Sequence, residues 1–302
     1  MNEVYKTRSL RYLKEEPEEV IETREKNHPI LRKIIFILIL IILSFIAYTR
    51  FIEPKMITVK EYKIETTLIP DSLHGAKIVH ISDIHYGTSI DIKGLNKIVN
   101  KINELKPDII FFTGDLIDKS VSINDETKTN IIETLKRLNS TTYKYAIYGD
   151  EDLNNEFFVD IIKESQFTLL NNEATLLYYK DNTPIEIVGF TNNDETNYTI
   201  LTNFIDEIDT TNYYKIVLSH KPDTIDNFIN YNPNLVLSGH TLGGEINIIK
   251  PLFLNEGSKK HYKDYKKVFN TDFYISNGLG TSSLYARFNN KPSFNLYRIY
   301  KN

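Results

Sequence analysis

The uncharged run IIFILILIILSFIAYT at residues 34–49 is the longest apolar stretch in the chain. It falls short of the roughly 20 residues that a bilayer requires. Snorkelling by Arg32, Lys33 and Arg50 covers the difference. A core helix apolar on every face would need protein on all sides, and the polar segment before it supplies none. A secretory signal would carry an unusually long charged leader of 33 residues, and the exit sequence YTRFIEP lacks a small-residue cleavage site. The run is therefore expected to be one uncleaved transmembrane helix, an anchor over 34–52. The adjacent Arg32-Lys33 pair favours the amino terminus inside and the large domain outside the cell membrane. Residues 1–33, with EEPEE at 15–19, read as a charged, solvated tail or a short surface helix, and His28 as interfacial.

Beyond residue 56 the pattern becomes short apolar strands alternating with amphipathic helices. TVKEYKIET (58–66), KIVHIS (77–82), DIIFFT (108–113) and YKYAIY (143–148) predict strands. Apolar positions 92, 95, 98, 99, 102 and 105 predict a helix over 91–105, and further helices are expected over 125–138 and near 155–165. Strands follow around 174–179, 185–190, 215–219, 235–238 and 293–300, with a helix near 197–209 between them. This rhythm indicates an α/β fold over 56–302, its late strands forming a second sheet that faces the first.

At 41% apolar residues the chain buries a core and is not of the disordered class. The absence of cysteine excludes disulfides, thiolate ligands and thiol nucleophiles. A balance of 36 basic against 40 acidic residues argues against nucleic acid as the main partner.

The polar residues that break this pattern sit at strand ends. Asp83 and His85 follow KIVHIS; Gly114, Asp115 and Asp118 follow DIIFFT; Gly149, Asp150, Glu151 and Asp152 follow YKYAIY. His220 ends KIVLS, and Gly239-His240 ends LVLS. Ligands of open α/β sheets bind beyond the carboxyl ends of strands, so these ends read as one site. Carboxylate oxygens mixed with imidazole nitrogens suit divalent first-row metals. The competing account is that Asp83, Asp115 and Asp150 merely cap the helices that follow; two strand-end histidines weigh against it. His80 alternates with Val79 and Ile81 and is expected to be a buried, hydrogen-bonded core residue. His74 and His261 lie in polar loops and are expected at the surface.

The ordered motifs SDIHYG (82–87), TGDLID (113–118), YGDED (148–152), LSHKPD (218–223) and SGHTLGGEI (238–246) resemble those of the calcineurin-like metallophosphoesterases, closest to a bacterial membrane-associated branch. The tail SNGLGTSSLYARFNNKP at 276–292 is similar to a glycine-rich closing segment of that branch. The resemblance covers residue 58 to the end. It implies a four-layer-type sandwich, two facing mixed β-sheets flanked by helices. It also implies hydrolysis of phosphate esters or pyrophosphates by a metal-bound hydroxide, with two divalent ions (Mn, Fe or Zn). By position, Asp83 and His85 would hold the first ion, Asp115 would bridge, and Asp150, His220 and His240 would complete the second. Asp150 and Glu151 would stand at the reacting phosphate. Anchoring points to a phosphorylated small molecule or a lipid-linked or cell-envelope phosphate as substrate.

Four positions depart from the family pattern. Glu151 and Leu242 replace histidines, Asp150 replaces Asn, and Glu245 replaces Gln. Leu242 cannot coordinate, Asp150 adds negative charge, and Glu151 is a poorer proton donor at neutral pH than histidinium. Asp118 is expected to orient a loop of the metal site. The alternative is a catalytically degenerate protein, tethered to the membrane, that binds a metal or a phosphorylated ligand without turnover.

Overall fold

The computed structural model describes residues 29–139, 143–191, 213–248, 254–282 and 284–302. It divides into two units, Met1–Leu43 and Ser44–Asn302. The apolar run lies in helix α1, Pro29–Ala47, whose 19 residues include none that is buried. At about 1.5 Å per residue such a helix is close to the roughly 30 Å of a bilayer's hydrocarbon core. In the second unit a wider helical turn, Tyr48–Ile52, and a tight one, Glu53–Lys55, precede the first strand.

That unit is α/β, with two mixed six-stranded sheets. The first holds β1 (Thr58–Thr66), β2 (Lys77–Ile81), β3 (Ile109–Phe112), β4 (Tyr143–Ala146), β5 (Thr168–Leu169) and β12 (Ser293–Lys301), in the order β1-β12-β2-β3-β4-β5. The second holds β6 (Glu173–Leu177), β7 (Ile185–Phe190), β8 (Tyr214–Ser219), β9 (Leu235–Ser238), β10 (Tyr265–Val268) and β11 (Thr271–Ile275), in the order β10-β11-β9-β8-β7-β6. Strands β2 to β5 run parallel, as do β7, β8 and β9. Helices α2 (Ile92–Leu105), α3 (Asp125–Lys136) and α4 (Phe158–Glu164) connect the first sheet. Asp91 caps α2 by accepting from the Gly94 N–H at 2.7 Å, and Asn124 caps α3 through the Thr127 N–H at 2.9 Å.

The strand period of two sorts side chains into layers. Val79, Ile81, Ile110 and Phe112 pack with Leu95 and Ile98 of α2. Their alternates Ile78, Ile109 and Phe111 face Ile187, Ile216 and Leu237 of the second sheet. Val188, Val217 and Val236 cover the far face together with Ile225 and Phe228. Parallel strands buried on both faces read as continuous apolar runs, which is why KIVHI and IIFF were legible. Strands β5, β10 and β11 were not anticipated: β5 has two residues, and β10 is the largely exposed YKKV. The helix near 197–209 and residues 1–28 of the charged tail, His28 among them, lie outside the described residues, whereas residues 29–33 of that tail belong to α1.

His261 corrects an expectation. It is buried rather than on the surface, its Nε2 lying 3.0 Å from Asp226 Oδ1 and its ring against Phe273. His80 is the fully buried core residue expected. Its Nε2 lies 2.9 Å from Thr113 Oγ1, and its Nδ1 lies 3.3 Å from the Tyr297 hydroxyl. Because Thr113 Oγ1 donates onward to Ser82 Oγ, His80 carries its proton on Nε2.

Burial pushes the His80 pKa down from 6.5 to about 3. Above 6.5 both folded and unfolded chains hold it neutral. Below 6.5 the unfolded chain takes a proton that the native site refuses, so stability falls with acidification by up to about 1.4 kcal/mol per pH unit. Urea denaturation of the full chain in micelles between pH 6 and pH 4 should show a shallower acid slope for His80→Gln than for the parent. Equal slopes would contradict this assignment.

Candidate metal centre

Where β2, β3 and β9 end, the backbone departs from its usual conformations. Asp83, His85, Asp115 and His240 have φ of 51°, 42°, 59° and 67°. Left-handed conformations of non-glycine residues cost about 1–3 kcal/mol each and persist only where surroundings over-determine them. Here Asp83 N–H donates to the Gly114 carbonyl at 2.9 Å, His85 N–H to the Asp115 carbonyl at 3.1 Å, and Gly280 N–H to the Asp83 carbonyl at 2.7 Å. The β3 and β4 loops cross in backbone contact, since a Cβ on Gly114 would lie 2.1 Å from the Gly149 nitrogen. A Cβ on Gly149 would lie 2.2 Å from Asp115 Oδ1. Only glycine fits either position.

Three overlapping donor groups result, each with its ligand atoms within 4.8 Å of one another: Asp83–His85–Asp115, Asp115–His220–His240, and His85–Asp118–Glu151. Asp115 belongs to the first two. Each histidine has one ring nitrogen held by an acceptor, leaving the other to face the cluster. His85 Nδ1 lies 3.3 Å from Asp118 Oδ2 and 3.2 Å from Glu151 Oε2, and its Nε2 is 3.6 Å from Asp115 Oδ2. His220 Nδ1 lies 2.6 Å from the Thr113 carbonyl, and its Nε2 is 3.1 Å from Asp115 Oδ2. His240 Nε2 lies 2.7 Å from the Glu256 carbonyl, and its Nδ1 is 3.2 Å from His220 Nε2. Fixing one nitrogen by hydrogen bonding and presenting the other is how ligating imidazoles are oriented, so this donor set fits divalent metal.

The charges are strongly coupled. Burial opposes a proton on His85, but Asp118 and Glu151 outweigh it and hold the pKa well above 6.5. Burial likewise opposes charge on His220, and Asp115 and Asp83 overcome it, to about 10. His240 is pushed down by burial and by the charge on His220. Asp115 is held low, its burial outweighed by His220 and His85.

Asp150 stands apart from these groups. Its Oδ1 pairs with Lys221 Nζ at 3.1 Å, and its Oδ2 is 3.6 Å from His240 Nδ1. Glu151 Oε2 accepts from the Lys119 N–H at 2.9 Å besides facing His85. Leu242 is buried, and its carbonyl accepts from Arg287 Nη1 at 3.0 Å and Asn290 Nδ2 at 2.7 Å. Glu245 turns to the closing segment, accepting from the Ser282 N–H at 2.8 Å.

Asp152, legible in the sequence only as one more strand-end carboxylate with no role of its own, has a structural one. Its carboxylate accepts from the N–H groups of Asp115 (2.6 Å), Leu116 (2.9 Å) and Gly149 (2.8 Å), clamping the two crossing loops together. Burial and the nearby Asp115 charge push its pKa up to about 7. Three consecutive carboxylates in GDED hid which one points inward.

Residues 76–244 match the family model of the calcineurin-like phosphoesterases, a stretch that takes in Asp83 through Leu242. This chain belongs to that family. It is 31% identical over 261 residues to YkuE, an uncharacterized metallophosphoesterase of Bacillus subtilis, covering 83% of this chain and 88% of the relative. It is 28% identical over 235 residues to the UDP-2,3-diacylglucosamine pyrophosphatase LpxG of Chlamydia trachomatis, covering 62% and 70%. A transmembrane protein with metallophosphoesterase domain from Danio rerio is 27% identical over 208 residues, covering 64% of this chain and 45% of that one. Within this calcineurin-like phosphoesterase the motif departures are local. The Leu242 carbonyl is anchored by Arg287 and Asn290 while its side chain offers no metal ligand, and Glu151 faces His85.

Replacing Asp152 by Ala should orphan three buried donors and cost about 3–5 kcal/mol, at roughly 1–3 kcal/mol for each unmade bond after relaxation. Thermal denaturation of Asp152→Ala should show a large drop in Tm. An unchanged Tm would show that the loops hold without the clamp.

Proposed function

We propose that this calcineurin-like phosphoesterase is a membrane-tethered dimetal hydrolase. Asp83, His85 and Asp115 would hold one ion, and Asp115, His220 and His240 the other. The observation that carries the reading is the position of Asp115 in both buried donor groups. Two divalent ions so held supply Lewis-acid activation of water and neutralise charge in displacement at phosphorus. The oxygen and nitrogen donors suit Mn, Fe or Zn.

The chain's own residues divide the remaining work. Asp118 and Glu151 hold the His85 Nδ1 proton, and the Thr113 and Glu256 carbonyls do the same for His220 and His240. Asp150 is a candidate further ligand of the second ion, and Lys221, paired with it, offsets the charge that Asp150 turns toward an incoming phosphate. With Leu242 in place of an imidazole, the first site is the weaker of the two.

The substrate reading is a phosphoester or pyrophosphate borne by a lipid-linked molecule. Support comes from the apolar helix α1 and from the diacyl substrate in the name of the chlamydial relative. A second reading, binding without turnover, is favoured by Glu151, which stands where the family pattern has a histidine and whose Oε2 is taken up by His85 and the Lys119 N–H.

Turnover of bis(p-nitrophenyl) phosphate by the manganese-loaded full chain separates the two. Hydrolysis that falls by on the order of 10³-fold in Asp115→Asn supports the hydrolase. Two bound ions with no turnover of monoesters, diesters or pyrophosphates favour the binding protein. For topology, α1 is expected to span the membrane with the amino terminus inside. Protease added to intact cells should then remove the large domain, and cleavage only after lysis would reject that orientation. Release from membranes by high salt would reject the span.

A further inference from the structure

A cavity of about 500 Å³ opens between residues 50–57, the loop 88–91 and the first turns of α2. Arg50, Lys55, Lys93 and Lys97 line it, against the single carboxylate of Asp91. That carboxylate is committed to the α2 cap, accepting from the Gly94 N–H at 2.7 Å. Lys55, Lys93 and Lys97 make no ion pair among the described residues, and all three are exposed. Arg50 instead reaches the carbonyls of Leu284 and Tyr285 at 3.3 and 3.4 Å and lies over the Tyr285 ring. The Ser89 hydroxyl, on the same wall, has no hydrogen-bond partner among the described residues.

The cavity is not only cationic. Phe51, Pro54, Ile57 and Ile90 also line it, and Phe51 is 61% exposed. Free cations beside one exposed aromatic ring, set over the buried Pro54, Ile57 and Ile90, suit an amphiphile better than a small soluble anion.

Two connections relate this cavity to the rest of the chain. Arg50 lies three residues beyond Ala47, where α1 ends. On the other side, Thr88 Oγ1 is 2.8 Å from the His85 carbonyl, and three residues of chain place those Cα atoms within about 11 Å. The Tyr285 hydroxyl is 2.9 Å from Ser120 Oγ, which donates to Asp118, which faces His85. One wall of the cavity is thus continuous with the metal centre and another with the end of the apolar helix.

We propose that this cavity is the recognition subsite for a lipid-linked substrate: it takes an anionic phospholipid-like headgroup against Lys55, Lys93 and Lys97, with the acyl chains leaving past Phe51. The proposal rests on the lipid-linked hydrolase reading above and names the part of the protein that selects for lipid. Soluble phosphate esters would reach the metal centre without using it.

The chain contains no tryptophan, so Phe51→Trp places a single fluorescent reporter in the cavity. The manganese-loaded full chain carrying Phe51→Trp, in neutral detergent micelles, is titrated with dioctanoyl phosphatidylglycerol, dioctanoyl phosphatidylcholine and glycerol phosphate. Saturable change with phosphatidylglycerol alone is expected, weakened tenfold or more by adding Lys93→Glu and Lys97→Glu, both at exposed positions. An equal response to phosphatidylcholine, saturation by glycerol phosphate at the same concentrations, or indifference to charge reversal would each overturn the proposal. Turnover of bis(p-nitrophenyl) phosphate by the unsubstituted chain is read in parallel. Selective lipid binding without turnover removes the hydrolase reading and keeps the subsite; turnover without selective binding removes the subsite alone.

Discussion

Asp83, Asp115, Asp118 and Asp152 are between 0% and 4% exposed, and carboxylates taken that far from water need partners or a change of protonation. The arrangement of the centre follows from meeting that demand. His85 and His220 carry charge against their burial because the carboxylates hold it there. Asp152 has three backbone donors and a pKa pushed up to about 7. The left-handed residues of the strand ends, each costly alone, are the geometry that lets these groups converge. A fold that concentrates so much negative charge around three imidazole nitrogens facing the cluster is stabilised by cations, and divalent ions would replace the protons that serve here.

The same demand explains the closing segment. Arg287 is fully buried, and it donates to the carbonyls of Gly280, Leu242, Asn277 and Gly278. Burial lowers its pKa to about 10, against the opposing pull of Glu245, so it remains a cation at neutral pH. It fastens residues 277–280 beside Asp83 and holds the loop of Leu242 from behind. The Gln-to-Glu departure at 245 therefore finds a role away from the metal donors, as the counter-charge to a buried guanidinium.

Much of this was legible in the sequence because the parallel strands are buried on both faces and end abruptly in polar residues. KIVHI, IIFF and LVLS could be read as strands, and Asp83, His85, Asp115, His220 and His240 as one cluster, from that contrast alone. Less visible were features that depend on direction. Nothing in GDED distinguishes Asp152, which accepts from three backbone N–H groups, from Asp150, which lies between Lys221 and His240. His261 was misplaced because its burial depends on Asp226 and Phe273, both distant in sequence. The carbonyls of Thr113 and Glu256 that orient two histidines carry no sequence signal, since every residue has one.

What the whole centre turns on is the sharing of Asp115 by two ions. Electron paramagnetic resonance of the chain loaded with two equivalents of manganese(II) tests it directly. Ions bridged by one carboxylate and about 3.5–4 Å apart couple by exchange, so a broad multiline spectrum that Asp115→Asn abolishes is expected. A spectrum showing only the six lines of isolated manganese at full loading would contradict the shared centre.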